Sequence, residues 1–143
     1  MIEVLCVNFK KDSDLCKRIF EIRRKVFVDE QEVAENEEFD VYEESSIHYL
    51  GLMNGTPAGT ARWRITTNGI KLERFAVLPE YRNKGVAARI LQRVLADTMP
   101  SGVPLYLHAQ LTAQVFYEKN GFEKHGDIFE ECGILHYKMF FRG

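Results

Sequence analysis

A carboxylate inside an apolar segment is the first feature of this sequence that could do chemistry. Glu73 lies in the run Leu-Glu-Arg-Phe-Ala-Val of residues 72–77, which is typical of an interior strand. A carboxylate there needs a partner or a chemical purpose, and partial burial would raise its pKa towards neutrality, where it can accept a proton. Glu73 is therefore predicted to be a general base. The alternative is a structural ion pair with Arg62, Arg64 or Arg74.

A basic turn before an amphipathic segment could bind an anion. Its sequence is Arg82-Asn83-Lys84-Gly85-Val86-Ala87. The first amides of a helix lack intrahelical partners and carry the positive end of its dipole, so acidic residues would be expected there. Here basic residues precede the helix and Asp97 lies near its far end, an arrangement that suits a bound polyanion. Neither a P-loop nor a dinucleotide fingerprint is present. An ordinary basic surface turn is the alternative.

Two polar residues lie near the carboxyl end of a later strand. His108 and Gln110 are two positions apart, so their side chains lie on the same face of the sheet. The carboxyl end of a strand is where open sheets usually place groups that bind ligands. His108 and Arg64 are predicted to bind substrate. The alternative for His108 is a core histidine whose ring nitrogens are hydrogen-bonded within the protein. Cys132 and His136 are not expected to pair directly, because four residues of strand span about 13 Å.

An acidic stretch contains no lysine or arginine between residues 26 and 53. Nine of the 21 acidic residues lie there: Asp29, Glu30, Glu32, Glu35, Glu37, Glu38, Asp40, Glu43 and Glu44. Such a run is often a solvated helix end and loop. It could equally form an electronegative rim that concentrates a cationic ligand, in which case Asp29 and Glu30 are predicted to contact that ligand.

Length and composition exclude several classes of protein. The 143 residues suit one domain, residues 1–143. The net charge of −2 offers no basic excess for nucleic acid, and no apolar run approaches the ~18 residues that span a bilayer. Three scattered cysteines fit a reducing, cytoplasmic compartment. The four histidines form no metal-binding motif, so no metal is expected.

The elements that must position these residues follow from hydrophobic periodicity. Strands are predicted at residues 2–7, 46–53, 59–66, 70–78, 103–109, 122–129 and 134–141. Helices are predicted from residue 13 to about 27, from 85 to 98 and from 112 to 119. The order β-α-β-β-β-α-β-α-β-β predicts an α/β (α+β) fold, in which one parallel crossover at residues 70–109 interrupts a mostly antiparallel sheet.

Two motifs resemble those of the GNAT N-acetyltransferases. Residues 73–87 resemble the acetyl-CoA-binding motif of that family, which ends in Gln/Arg-x-x-Gly-x-Gly/Ala and is met by Arg82, Gly85 and Ala87. Residues 113–122, Ala-Gln-Val-Phe-Tyr-Glu-Lys-Asn-Gly-Phe, look like the second motif. Residues 23–31 and 133–136 are similar to the small bacterial ElaA/YjcF-like branch. Gln110 stands where many members have asparagine.

The resemblance implies a cofactor site and an acid. Acetyl-CoA would be the co-substrate, with its pyrophosphate on the amides of residues 84–88 and its pantetheine near Phe75 and Val77. The implied cofactor-binding residues are Phe75, Ala76, Val77, Arg82, Asn83, Lys84, Gly85, Val86, Ala87, Ala88, Gln110, Ala113, Phe116 and Tyr117. Tyr117 matches the general acid of the family, since a phenol with a pKa of about 10 stays protonated at pH 7. Its alternative is a packed, structural tyrosine, and a water chain could replace Glu73 as the base.

The implied reaction is direct attack of a primary amine on acetyl-CoA in a ternary complex. The acidic stretch favours a cationic acceptor, either a small molecule or a lysine side chain. Two alternatives remain open: an acyl-homoserine-lactone-synthase-like acyltransferase, and a non-catalytic acyl-CoA-binding sensor. Whether the domain forms a homodimer also stays open.

Overall fold

A computed structural model describes all 143 residues and contains one seven-stranded sheet. The strands are β1 (Ile2–Val7), β2 (Ile47–Met53), β3 (Thr56–Thr66), β4 (Gly69–Val77), β5 (Leu105–Gln110), β6 (Phe122–Glu131) and β7 (Ile134–Phe141). Their order across the sheet is β1-β2-β3-β4-β5-β7-β6. Only β4 and β5 pair in parallel, as the predicted crossover requires.

Four α-helices accompany the sheet. They are α1 (Ser13–Arg23), α2 (Glu35–Glu38), α3 (Val86–Thr98) and α4 (Gln114–Lys119). The predicted order of elements is confirmed, with two differences. The first helix leaves α geometry at Arg23 and continues as a π-helical segment, Arg24–Glu30, and α2 is an additional single turn. None of these helices is both long and apolar enough to cross a bilayer.

Each face of the sheet is covered by different helices. Helices α3 and α4 pack on a core that includes Leu72, Leu107 and Met139. Helix α1 and the π segment cover the opposite face, where Ile19 and Val26 belong to a second buried cluster. Neighbouring residues of a strand point to opposite faces of the sheet. The polar residues that alternate with residues of the first core therefore point towards α1.

A β-bulge interrupts the pairing of β4 with β3 near the centre of the sheet. Glu73 pairs with Arg62 and Ala76 with Thr60, so β4 carries one more residue than β3 over this stretch. The bulge includes Arg74, whose φ of +60° is left-handed. Pairing between β4 and β5 ends at Leu72, and beyond this point the carboxyl ends of the two strands separate.

Candidate active site

A pocket of about 510 Å³ lies where β4 and β5 separate. Residues 71–77 of β4 form one wall and His108 and Gln110 of β5 line another. The π segment and α2 cover it from the α1 side, and the turn between β6 and β7 closes its rim. The pocket thus lies at the carboxyl ends of two parallel strands, where open sheets bind ligands.

The loop before α3 presents a run of free backbone amides. Left-handed backbone at Asn83 (φ +61°) and Gly85 (φ +88°) turns the chain into the helix. The first backbone bond into α3 runs from the Arg89 amide to the Gly85 carbonyl, at 3.1 Å, and the amides of residues 83–88 donate to no protein acceptor. No acidic residue lies in the first turn of α3. Free donors and the positive end of the dipole together form an anion-binding site.

Arg82 joins this loop to the pocket wall. Its Nε donates to the Val77 carbonyl at 2.9 Å, and its guanidinium contacts both carboxylate oxygens of Glu30, at 2.8 and 2.6 Å. The hydrogen bond from Arg82 lowers the pKa of Glu30. Glu30, predicted to contact the substrate, therefore lines the pocket as the partner of Arg82. Asp29 is exposed and does not line the pocket.

Glu73 is held as a carboxylate by the basic residues around it. Its Oε1 accepts hydrogen bonds from Arg62 at 2.8 Å and from Arg64 at 2.7 Å, and Lys71 lies 3.3 Å from Oε2. Burial acts to raise the pKa of Glu73, but these positive charges and that of Arg74 outweigh it and lower the pKa. The expected rise in pKa is therefore wrong, and the structural ion pair describes the contacts of Glu73.

The acidic stretch is solvated only in part. Six of its nine acidic residues are exposed, and the other three, Glu38, Asp40 and Glu43, contact buried arginines. Glu38 and Glu43 are buried against Arg23, with separations of 2.8 and 2.7 Å. Asp40 contacts Arg62 at 2.7 Å; burial opposes the effect, but this partner lowers the Asp40 pKa to about 2. The stretch thus neutralises two fully buried arginines. These partners could not be recognised within the acidic segment, because Arg23 and Arg62 lie outside it.

Arg64 is not part of the pocket. Its Nε donates to Glu73, and its guanidinium lies 3.9 Å from the ring centroid of Tyr42. A second, smaller cavity that includes both Arg64 and Tyr42 lies apart from the site. The predicted contact between Arg64 and substrate therefore has no geometric support.

Tyr117 is the buried aromatic residue of the pocket. Its ring packs edge-on against Phe75, Phe116 and Phe122, with centroids 6.0, 5.1 and 5.7 Å away. Its hydroxyl has no protein partner, is not sealed from solvent and belongs to a side chain that lines the pocket. Burial raises the pKa of Tyr117, so the phenol stays protonated at neutral pH. Phe116, by contrast, supports this ring without lining the pocket.

His108 and Gln110 face the pocket together, each held by a residue that the sequence did not single out. The Gln110 amide donates to Gln31 Oε1 at 2.9 Å. His108 Nδ1 lies 3.1 Å from Glu131 Oε2, and this hydrogen bond lowers the Glu131 pKa to about 2. No spacing signal links these partners, because 79 and 23 residues separate them.

The rim residues Cys132 and His136 have separate partners. Cys132 donates to Glu37 Oε2 at 2.9 Å, and this bond, with burial, raises the thiol pKa to about 11. The Nδ1 of His136 lies 2.7 Å from the Ile134 carbonyl. The two residues thus form no nucleophile–base pair, in agreement with the sequence analysis. No three His, Cys, Asp or Glu side chains are grouped as metal ligands would be.

Comparisons with known proteins agree with this architecture. The N-acetyltransferase YjcF of Bacillus subtilis (strain 168) is 37% identical over 133 residues, which cover 90% of this chain and 94% of YjcF. The crystal structure of Escherichia coli ElaA superposes with a TM-score of 0.87 at 24% identity and covers 99% of this chain and 100% of ElaA.

A more distant structure contains a bound coenzyme. It is an aminoglycoside 6'-N-acetyltransferase complexed with coenzyme A, with a TM-score of 0.74 at 12% identity over 96% of this chain and 95% of that one. The sequence model of a protein family, the acetyltransferase (GNAT) domain, matches residues 15–142 of this chain. The chain therefore belongs to the GNAT acetyltransferase family and is an acyltransferase, and its resemblance to the ElaA/YjcF-like branch is confirmed.

Proposed function

We propose that this protein is an acetyl-CoA-dependent N-acetyltransferase that transfers the acetyl group to a primary amine by direct attack in a ternary complex. The observation that carries the proposal is the run of free amides at residues 83–88, which directly follows Arg82, a residue of the pocket wall. Coenzyme A bound to a GNAT structure of the same fold supports the choice of cofactor.

The residues of the loop fit a pyrophosphate. A Cβ placed on Gly85 would meet only Ile2 Cδ1, at 3.7 Å, so the space beside the loop is open. The residues that would hold the cofactor are those of the loop, Arg82, Asn83, Lys84, Gly85, Val86, Ala87 and Ala88, together with Phe75, Ala76, Val77, Gln110, Ala113 and Tyr117 in the slot. When bound, acetyl-CoA supplies the activated acetyl group and the thiol that leaves.

Tyr117 is assigned as the general acid. Its free hydroxyl lies on the pocket, and its raised pKa keeps the phenol protonated at neutral pH, so a proton is at hand when the thiolate leaves beside it. Glu73 is assigned a supporting role, because four basic side chains hold it ionised and occupied. It fixes the wall of the pocket by joining β3 to β4.

The acceptor is proposed to be an amine, and two carboxylates support a positively charged one. Glu37 and Glu131 line the pocket, and no basic side chain pairs with Glu37. Glu38, Asp40 and Glu43 do not support this preference, because arginines neutralise them. Action on a soluble amine in the cytoplasm is part of the proposal.

An acceptor screen tests the function. Purified protein is incubated with acetyl-CoA and a panel of polyamines, aminoglycosides and lysine peptides, and released thiol is measured. Thermal shift with acetyl-CoA is recorded in parallel, since a ligand of the native state raises the melting temperature. Binding with amine-dependent thiol release supports the proposal. Binding without release from any amine indicates a sensor, preference for longer acyl-CoA indicates the synthase-like alternative, and absence of binding refutes the cofactor site.

A further inference from the structure

We propose that His108 is the general base that deprotonates the acceptor amine and that Glu131 is its positioning residue. The assignment rests on the proposed function and deepens it, because it names the group that receives the proton. The supporting features are the contact between the two side chains, the free second nitrogen of the imidazole, and the position of the ring opposite Tyr117.

The imidazole of His108 is held in one orientation. Nδ1 lies 3.1 Å from Glu131 Oε2, and the ring meets Phe129 edge-on at 4.9 Å between centroids. A carboxylate accepts hydrogen bonds only, so Nδ1 carries the hydrogen and the lone pair of a neutral ring lies on Nε2. Nε2 has no protein partner and is not sealed from solvent, while the side chain lines the pocket. The ring therefore has a free basic nitrogen.

His108 and Tyr117 lie on opposite faces of the sheet. Tyr117 belongs to the core that contains Leu107 and Ala109. His108 lies between these two residues on β5 and so points to the other face, the side of α1. Both side chains line the same pocket because β4 and β5 separate there. A base on one side of the slot and an acid on the other suit an amine that enters from one face and a thiol that leaves on the other.

The other charged groups around His108 have partners of their own. On β4, Lys71 lies 3.3 Å from Glu73, which also binds Arg62 and Arg64. On β7, the ammonium of Lys138 lies over the Tyr106 and Phe140 rings, and His136 Nδ1 bonds to the Ile134 carbonyl. From α4, Tyr117 contributes a neutral phenol. Glu131 on β6 is thus the one charged group that bonds to His108.

The proton inventory of the reaction balances with these two residues. An acceptor that arrives as an ammonium first releases one proton to water. As the neutral amine nitrogen then bonds to the acetyl carbon, Nε2 of His108 takes the further proton that this nitrogen loses. The carbon–sulfur bond breaks, its electron pair stays on sulfur, and the Tyr117 hydroxyl protonates the sulfur. His108 then releases one proton to water and Tyr117 takes one back. Glu131 remains ionised throughout and stabilises the protonated imidazole.

The test compares His108→Gln with a matched control in the pH dependence of turnover. Glutamine can still donate to Glu131 but cannot take a proton. We expect kcat at neutral pH to fall about 100-fold or more and the acidic limb of the profile to disappear, while acetyl-CoA affinity stays within about twofold of wild type. The control is His125→Gln, an exposed histidine of β6 that packs against Phe140. It should leave turnover and the acidic limb unchanged.

Glu131→Gln provides a second, independent test. Its side chain is 42% exposed, so the variant is expected to fold even if His108→Gln does not. Removal of the carboxylate should move the acidic limb to lower pH, because the protonated imidazole loses its anionic partner. A merely structural contact would not produce this effect. An active His108→Gln enzyme with its acidic limb in place, or an unmoved limb in Glu131→Gln, overturns the assignment. Wild-type protein that acetylates no amine refutes the proposed function itself, which distinguishes the two failures.

Discussion

Replacement of Gly85 by aspartate places a carboxylate among the free amides at the start of α3. Gly85 has φ +88°, and a side chain there meets only Ile2, at 3.7 Å. The substitution therefore fits in space but strains the backbone, which costs about 1–2 kcal/mol for a left-handed residue other than glycine. In a domain of this size we expect the melting temperature to fall by about 3–6 °C.

The effect on cofactor binding should be larger than the effect on folding. A carboxylate about 5 Å from a phosphate repels it by about 3 kcal/mol per charge at an effective dielectric constant of about 20. This energy corresponds to a loss of affinity of roughly 100-fold. Titration calorimetry of wild-type and Gly85→Asp protein with acetyl-CoA measures it directly, and the repulsion should weaken at high salt.

Gly102→Asp is the matched control. Gly102 has φ +72° with no atom near its missing Cβ, and it follows the far end of α3, about 20 Å away by the rise of the helix. It carries the same charge and the same backbone strain but lies away from the loop. Gly85→Asp protein that binds acetyl-CoA as tightly as wild type, or an equal loss of affinity in both variants, would refute the assignment of residues 83–88 to the pyrophosphate.

Three further outcomes are expected. Tyr117→Phe should lower kcat about 100-fold, with acetyl-CoA affinity and melting temperature unchanged. The control is Tyr49→Phe, which loses hydroxyl hydrogen bonds of 2.8 and 2.9 Å and should lower stability by about 1–3 kcal/mol without altering kcat. Near-normal kcat in a stable Tyr117→Phe protein would show that Tyr117 has a structural role only. Arg62→Met should destabilise the fold by about 3–5 kcal/mol in urea unfolding, because it removes the cation that Asp40, Glu43 and Glu73 share inside the protein. An unchanged midpoint would contradict this. The free energy of unfolding should fall between pH ~5 and pH ~2. The pKa values of Asp40 and Glu131 are lowered to about 2 in the folded protein, so both carboxylates contribute stability that is lost as they are protonated. Chemical denaturation at a series of pH values measures this free energy.

Hydrophobic periodicity was sufficient to predict the order of the elements. The change from alternating residues in β4 to a 3.6-residue period in α3 lies at Pro79 and Gly85, and these breaks define the parallel crossover. The face shared by His108 and Gln110 also follows from the sequence, since strand residues alternate strictly. Periodicity does not locate bulges, however, and the bulge at Arg74 is seen only in the pairing of β3 with β4.

The electrostatic partners could be predicted only in part. For Glu73 the expected alternatives Arg62, Arg64 and Arg74 are all present, but nothing in the sequence pointed to Lys71 or to the contact of Glu131 with His108. Burial of Glu73 was inferred correctly, but the direction of its pKa depends on how many cations reach it. Arg62, Arg64, Lys71 and Arg74 all do so. Glu131 reaches His108 from the last residue of β6, with β7 between their strands. Such contacts arise from the folded sheet, because composition and spacing carry no information on which side chains meet across strands.

The bulge at Arg74 connects the acidic stretch to the site. A left-handed residue in a strand is strained by about 1–3 kcal/mol and persists only where its surroundings fix it. Here the Arg74 guanidinium lies 3.2 Å from Glu38 and 3.1 Å from Asp40, which ties α2 and the following loop to β4. The same carboxylates neutralise Arg23 and Arg62. The acidic stretch therefore supports the site indirectly, because it holds the bulged residue of β4 in place in the wall of the pocket.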